Sequence, residues 1–143
     1  MPSPSSALPL SDQEEMLFRQ VHPSFVRDGR PSSQALRPTK KDEGTLSVAR
    51  GSLCTAEDAF LHHTRTLGLS SAGTWGVLVG DCSEQGLPVF PDPITAPPGR
   101  FPDPAHAFVD FRELSGSQIE ARGARLARRA AERGPQFLPK GST

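Results

Sequence analysis

Fifteen prolines and thirteen glycines in a chain of 143 residues set the tightest limit on what this sequence can build. Proline fixes φ and removes a backbone donor, and glycine loses the most conformational freedom on ordering. The expected product is a small core dressed with long loops. Mean hydropathy of −0.42 reflects these residues more than charge, which accounts for only 22% of the chain. The length suits one domain around one core.

Met1 to Pro9 consists of prolines and small hydroxyl or methyl residues with a single leucine, a composition that cannot bury enough apolar area to offset ordering entropy, so residues 1–10 read as a flexible tail. A single domain is expected over 11–134, with a second flexible tail over 135–143. Ser11 and Glu14 stand at capping-box spacing and suggest a short helix. Leu17, Phe18 and Val21 continue it or open a strand, and Pro23 stops any helix at His22. From Pro23 to Gly44 the signals are those of turns, including Asp28-Gly29, Arg30-Pro31 and Arg37-Pro38. Thr45 to Ala49 reads as a strand.

Thr55 as N-cap, Glu57 and Asp58 in the first turn, and Gly68 at the end predict a helix over Ala56–Leu67. Thr74 to Gly80 is rich in β-branched and aromatic types and reads as a central strand. The irregular stretch from Gly86 to Pro104 holds a duplication, Phe90-Pro91-Asp92-Pro93 and Phe101-Pro102-Asp103-Pro104, whose phenyl rings are expected to pin onto the core. His106 to Phe111 reads as a buried strand, with Ala107, Val109 and Phe111 on one face. Ser117 and Glu120 suggest a capping box for a last helix running to Arg133, interrupted by Gly123, a residue that costs about 1 kcal/mol against alanine at mid-helix. Together these elements predict an α+β fold: a small mixed or antiparallel sheet with two capped helices packed on one face. The loops at 23–44 and 86–104 are expected to meet at one rim.

The polar stretch before residue 50 is the expected site. Arg27, Arg30 and Arg37 recur with Ser33 and Thr39 among them, and Lys40, Lys41 and Asp42 follow. Guanidinium forks and hydroxyl donors suit phosphate or carboxylate. His22 and His106, each at a strand end, are the candidate proton carriers. Neighbouring His62 and His63 point about 100° apart on an α-helix, an arrangement ill suited to one metal ion, and no metal or cofactor is expected. Cys54, just before a helix N-terminus, is a candidate thiolate, although a buried small hydrophobe is the plainer reading for it and for Cys82.

Sixteen basic and sixteen acidic side chains cancel, which removes any global field toward nucleic acid or an anionic membrane. A local excess of positive charge lies on the helix at 117–133, which offers a route to nucleic acid phosphates but lacks interleaved aromatics. Two cysteines without C-x-x-C spacing suit a reducing compartment, and no apolar run approaches the ~20 residues needed to cross a bilayer. A cytoplasmic, non-membrane protein is expected. The composition bias toward Arg, Ala, Gly and Pro suits a GC-rich bacterial genome.

His22-Pro23-Ser24-Phe25, Ser32-Ser33-Gln34, the run Arg37 to Glu43 and Leu46-Ser47-Val48 together resemble a group of small uncharacterised bacterial proteins across residues 16 to 112. That resemblance implies no activity, ligand or fold. Leu17-Phe18-Arg19 followed by an arginine-serine loop is similar to ADP-ribosyltransferase-type toxins of the RES class, without transferring any catalytic role. The leading expectation is a non-enzymatic binding or accessory protein that engages a partner protein, in a toxin–antitoxin, immunity or defence setting. The alternative is an enzyme on a phosphate-bearing nucleotide or nucleic acid, ADP-ribosyltransferase-like or phosphoesterase-like, in which Arg37 and Lys40 grip the anion. An enzyme of that kind gathers His22, Arg37 and Asp42 or His106 in one concave pocket; a binding module leaves them dispersed.

Overall fold

A computed structural model describes residues 8–39, 42–95 and 101–139. Among the described residues seven strands are formed: β1 (Met16–Val21), β2 (Val26–Arg27), β3 (Arg30–Pro31), β4 (Thr45–Arg50), β5 (Gly73–Leu78), β6 (Val89–Pro91) and β7 (His106–Asp110). Three α-helices accompany them, α1 (Ala56–Leu61), α2 (Val79–Glu84) and α3 (Gly116–Arg133). Five strands make one antiparallel sheet in the order β5-β1-β4-β7-β6, and β2-β3 is a separate hairpin. The α+β class with an antiparallel sheet is therefore as the sequence predicts. Among the described residues, no helix is long and apolar enough to cross a membrane.

Alternation along the strands decides which face is core. Leu17 and Val21 of β1, Leu46 and Val48 of β4, Trp75 and Val77 of β5, and Ala107 and Val109 of β7 are all buried. Phe111, just past β7, joins them, so the expected inward set of Ala107, Val109 and Phe111 is observed. Leu126, Ala127 and Ala130 of α3 complete this core together with Ala35 and Leu36 of a 3₁₀ turn at Ser33–Leu36. Gly123 lets the helix approach that turn, because a Cβ there would lie 2.7 Å from Arg37 Cβ.

The other face carries Phe18, Gln20, Ser47, Ala49, Thr74, His106 and Phe108, and α1 approaches it, with Thr74 Oγ1 donating to the Ala56 carbonyl at 3.2 Å. The two predicted helices are thus divided between the faces. The physical reason is that α3, with the 3₁₀ turn and Val79 and Cys82 of α2, covers the apolar face, whereas α1 has only Ala59 buried and sits against the polar one.

Several local expectations are corrected. Ser11 does not cap a helix; Asp12 instead closes a turn, its carboxylate accepting from Glu14 N–H at 3.0 Å and its carbonyl from Glu15 N–H at 3.1 Å. Thr55 caps α1 as predicted, with Asp58 reciprocating, but the α-helix ends at Leu61 and continues as a π-turn over His62–Thr66. α3 begins one turn edge earlier than predicted: Ser115 and Gln118 form the capping box, not Ser117 and Glu120. The strand at Thr74–Gly80 stops at Leu78, where buried Asp81 accepts the Leu78 N–H at 2.8 Å and turns the chain into α2. In the hairpin β2-β3, Asp28 (φ 53°) and Gly29 (φ 76°) both adopt positive φ, the conformation a two-residue loop between twisted strands requires.

Residues at the ends of the described chain are held. Leu10 N–H donates to Val89 O at 2.8 Å, and Thr74 exchanges hydrogen bonds with Phe137 at 2.8 Å and 3.2 Å. The outermost parts of both expected tails, 1–7 and 140–143, lie outside the described residues.

Candidate functional site

The sheet has a seam. β1 and β5 pair along six residues and β4 and β7 along five, but β1 meets β4 only at Leu17↔Arg50 and Phe18↔Ala49. Beyond that point the strands part, and Arg19 spans the opening. Its Nε donates to Ala35 O at 3.0 Å and its Nη1 to Ser47 O at 3.0 Å. No carboxylate forms an ion pair with it among the described residues. Burial lowers the guanidinium pKa and the charge of Asp42 opposes that shift, yet a guanidinium stays protonated at neutral pH.

Arg19 faces a pocket of about 520 Å³ on the polar face of the sheet. Phe18, Ser47 and Ala49 form its floor, the π-turn of His62 and His63 one wall, and the segment Phe101–His106 the other. The mouth is apolar: Leu53, Leu67, Leu69 and Phe101 are each 43–55% exposed. Of these two segments the expected site holds only His106; His62 and His63 enter the sequence reading only as candidate metal ligands, and Asp103 is marked only by the Phe-Pro-Asp-Pro duplication.

Each copy of that duplication supplies one carboxylate to one histidine. Asp92 Oδ2 lies 3.1 Å from His106 Nδ1, and Asp103 Oδ2 lies 3.7 Å from His62 Nε2. Neither phenyl ring pins onto the core as expected: Phe90 packs against Phe108 on the other face with centroids 5.6 Å apart, and Phe101 is 55% exposed. His106 Nδ1 also approaches the Asp92 carbonyl at 3.0 Å. Both Asp92 groups are acceptors, so Nδ1 must carry the proton, and Nε2 is left to accept from Ser47 Oγ at 3.2 Å. Burial lowers the pKa of His63, outweighing the Ser70 carbonyl that favours its charged form, and the nearby Arg19, His62 and His22 add to the lowering.

Cys54 also lines this pocket but is no thiolate. Burial, with the charges of Asp103 and Asp58, pushes it up to about 11. Burial, with the charge of Asp81, pushes Cys82 to about 12. Both cysteines are free. Among the described residues, no group of three His, Cys, Asp or Glu side chains is arranged to hold a metal ion.

The residues singled out from the sequence are distributed widely. His106 belongs to the pocket just described. Arg37 and Thr39 line a different one, of about 430 Å³, between the 3₁₀ turn and the start of α3. Asp42 is committed locally, accepting from Thr39 N–H at 2.8 Å and Thr39 Oγ1 at 2.7 Å. Arg27 and Arg30 sit opposite each other on the exposed hairpin. Ser33 opens the 3₁₀ turn against α3. His22 is exposed and caps the turn at Pro23–Phe25, its Nδ1 accepting from Ser24 N–H at 3.1 Å. Lys40 and Lys41 lie outside the described residues. The three arginines do not converge, and the two long loops line different pockets rather than one rim, because 33–36 is drawn to α3 and 101–106 to α1.

The arginines of α3 are largely used within the fold. Arg122 donates to Gln85 O, Arg125 to Gln85 Oε1 at 3.0 Å, and Arg133 to Gly76 O at 3.0 Å while pairing with buried Asp81 at 3.2 Å. Comparisons of this chain with models of known protein families, with curated proteins and with solved structures each return no match.

Proposed function

We propose that this protein is a cytoplasmic small-molecule binding protein whose ligand presents an oxyanion, carboxylate or phosphate, to Arg19 and lays an apolar portion against the mouth of the pocket. The observation that carries the reading is the position of Arg19. Two of its N–H donors are taken by carbonyls, and the others have no partner among the described residues. A partly buried cation that forms no ion pair among the described residues is an electrostatic vacancy, and an oxyanion is its natural complement. His63, held neutral beside it, adds no competing charge and offers a ring nitrogen for a hydrogen bond. Leu67, Leu69 and Phe101 supply apolar surface of the kind that small-ligand clefts use.

The test is thermal-shift screening with small aromatic and aliphatic carboxylates and their phosphate counterparts. Binding at 100-fold excess over Kd stabilises by about 2.7 kcal/mol, which a shift in Tm reports. Ala49→Phe fills the pocket floor without touching the Arg19 hydrogen bonds and is expected to abolish the shift. A shift that survives Ala49→Phe, or no shift with any member of the panel, overturns the reading.

Engagement of a partner protein is kept as a second reading on one observation. Arg27 and Arg30 are directly opposed on an exposed hairpin, and like charges so placed repel. An acidic partner surface would relieve that repulsion, and loss of a captured partner on Arg27→Glu/Arg30→Glu is the check.

A further inference from the structure

We infer that Ser47 is an acyl-accepting nucleophile, and that the pocket hydrolyses small carboxylic esters. The inference deepens the binding reading above, because the acid released is the carboxylate that Arg19 would hold. Its basis is the chain of contacts Ser47–His106–Asp92. Ser47 Oγ lies 3.2 Å from His106 Nε2, and His106 Nδ1, which donates to the Asp92 carbonyl at 3.0 Å, lies 3.1 Å from Asp92 Oδ2. Nucleophile, base and orienting carboxylate stand in the order that activates a serine hydroxyl, and such a constellation is recognised by geometry and roles rather than by sequence spacing. The tautomer is fixed in the useful sense, since Asp92 holds the proton on Nδ1 and leaves Nε2 basic.

Placement supports the same chemistry. Ser47 is solvent-exposed on the pocket floor, while the His106 side chain is only 17% exposed and thus held in place. The positive charge for a developing oxyanion is adjacent, because Arg19 Nη1 already touches the Ser47 carbonyl at 3.0 Å. Along β4 the even residues bond toward β7, as in Arg50 N–H to Ala105 O, and the odd ones toward β1, as in Gly51 N–H to Met16 O. Ser47 N–H therefore faces the opening that Arg19 spans. A carbonyl oxygen seated there meets a guanidinium and a backbone donor together, the arrangement that stabilises a tetrahedral intermediate.

The step balances without a further reactant besides water. His106 Nε2 takes the hydroxyl proton as Ser47 Oγ bonds to the ester carbon, and the carbonyl electron pair moves onto oxygen. The intermediate collapses with cleavage of the carbon–alkoxide bond, and the proton on Nε2 leaves with the alcohol. Water then adds to the acyl-serine while giving a proton to Nε2. Cleavage of the bond from carbon to Oγ returns that proton to Ser47 and releases the acid. Asp92 acts as a positioning residue throughout.

An alkyl fluorophosphonate probe followed by intact-mass and peptide mass spectrometry tests the nucleophile directly. One adduct mapping to Ser47, absent from Ser47→Ala and from urea-unfolded protein, is expected. With p-nitrophenyl butyrate, Asp92→Asn is expected to lower kcat by about 10²–10⁴-fold at unchanged KM and to alter the limb of the pH–rate profile set by the histidine. Circular dichroism on Ser47→Ala and Asp92→Asn confirms that the fold is kept. No adduct, or an adduct on another residue, overturns the inference. Carboxylate binding without labelling would sink the hydrolase and leave the binding reading standing, whereas labelling without carboxylate binding would do the reverse.

Discussion

Glu15 shows how a single buried carboxylate can be held in its charged form. Its side chain is 4% exposed and forms a fork with Arg50, at 2.9 Å and 3.1 Å, while Ser52 Oγ donates at 2.6 Å. Burial alone would raise its pKa, but hydrogen bonds from Arg50 and Ser52 and the Arg50 charge outweigh that, so it lies below 4.5. A depressed folded pKa means that the stabilisation is complete above the ordinary value and is lost as pH falls through the lower, folded one. Glu15→Gln should therefore cost about 2–3 kcal/mol at pH 7, somewhat less than removal of a partner from a fully buried pair. Urea unfolding from pH 7 down to pH 3 checks this: the gap between the two proteins must narrow in acid. A gap constant across that range would mean that the loss is one of packing.

At the scale of elements, α3 makes two predictions that the sequence pattern alone gets wrong. Ser115 and Ser117 both precede polar residues at plausible cap spacing, but Ser115 Oγ accepts the Gln118 N–H at 3.3 Å and Gln118 Oε1 accepts the Ser115 N–H at 2.9 Å. Ser115→Ala should cost about 1 kcal/mol and Ser117→Ala close to nothing, as measured by thermal unfolding. Gly123→Ala should gain about 1 kcal/mol from helix propensity and lose more from overpacking, for a net loss on the order of 1 kcal/mol. The decisive contact is with Arg37 Cβ, which cannot swing away as a side-chain tip would. A net gain in urea-unfolding stability would show that the 3₁₀ turn yields to the helix.

The same contrast explains what was legible beforehand. Strands at Leu17, Leu46, Trp75 and Phe108 announce themselves by β-branched and aromatic residues between turn signals; three of them are interior to the sheet, whereas the strand at Trp75, read from the sequence as central, lies at its edge. β6 has three residues and α2 six, too short for any period to emerge. The candidate site was legible only in His106. Arg19, Ser47, His62 and Asp92 come from four separate elements and share no spacing, so their meeting depends on where β1 and β4 part.

That parting governs the whole molecule. The sheet is two antiparallel units, β5-β1 and β4-β7-β6, joined by two residue pairs, by the Glu15–Arg50 fork and by Arg19. Sheets normally pair along their length, and an opening between central strands leaves backbone donors and acceptors that need other partners. Arg19 supplies one such partner and also lines the pocket, so stability and the proposed ligand recognition draw on one side chain. Arg19→Met keeps the stem and removes the guanidinium, leaving the Ala35 and Ser47 carbonyls without its hydrogen bonds at a cost of about 2–4 kcal/mol. Native-state hydrogen exchange locates the damage. Protection should fall most for β1 and β4 amides flanking the opening and least within β7 and β6, which pair along their own edge. A ligand with an oxyanion should raise protection on both sides of the opening in the unmodified protein and on neither side in Arg19→Met, because an anion at the guanidinium bridges the two units. Uniform loss of protection across all five strands in Arg19→Met would mean that the sheet opens as one unit and that the seam has no mechanical identity of its own.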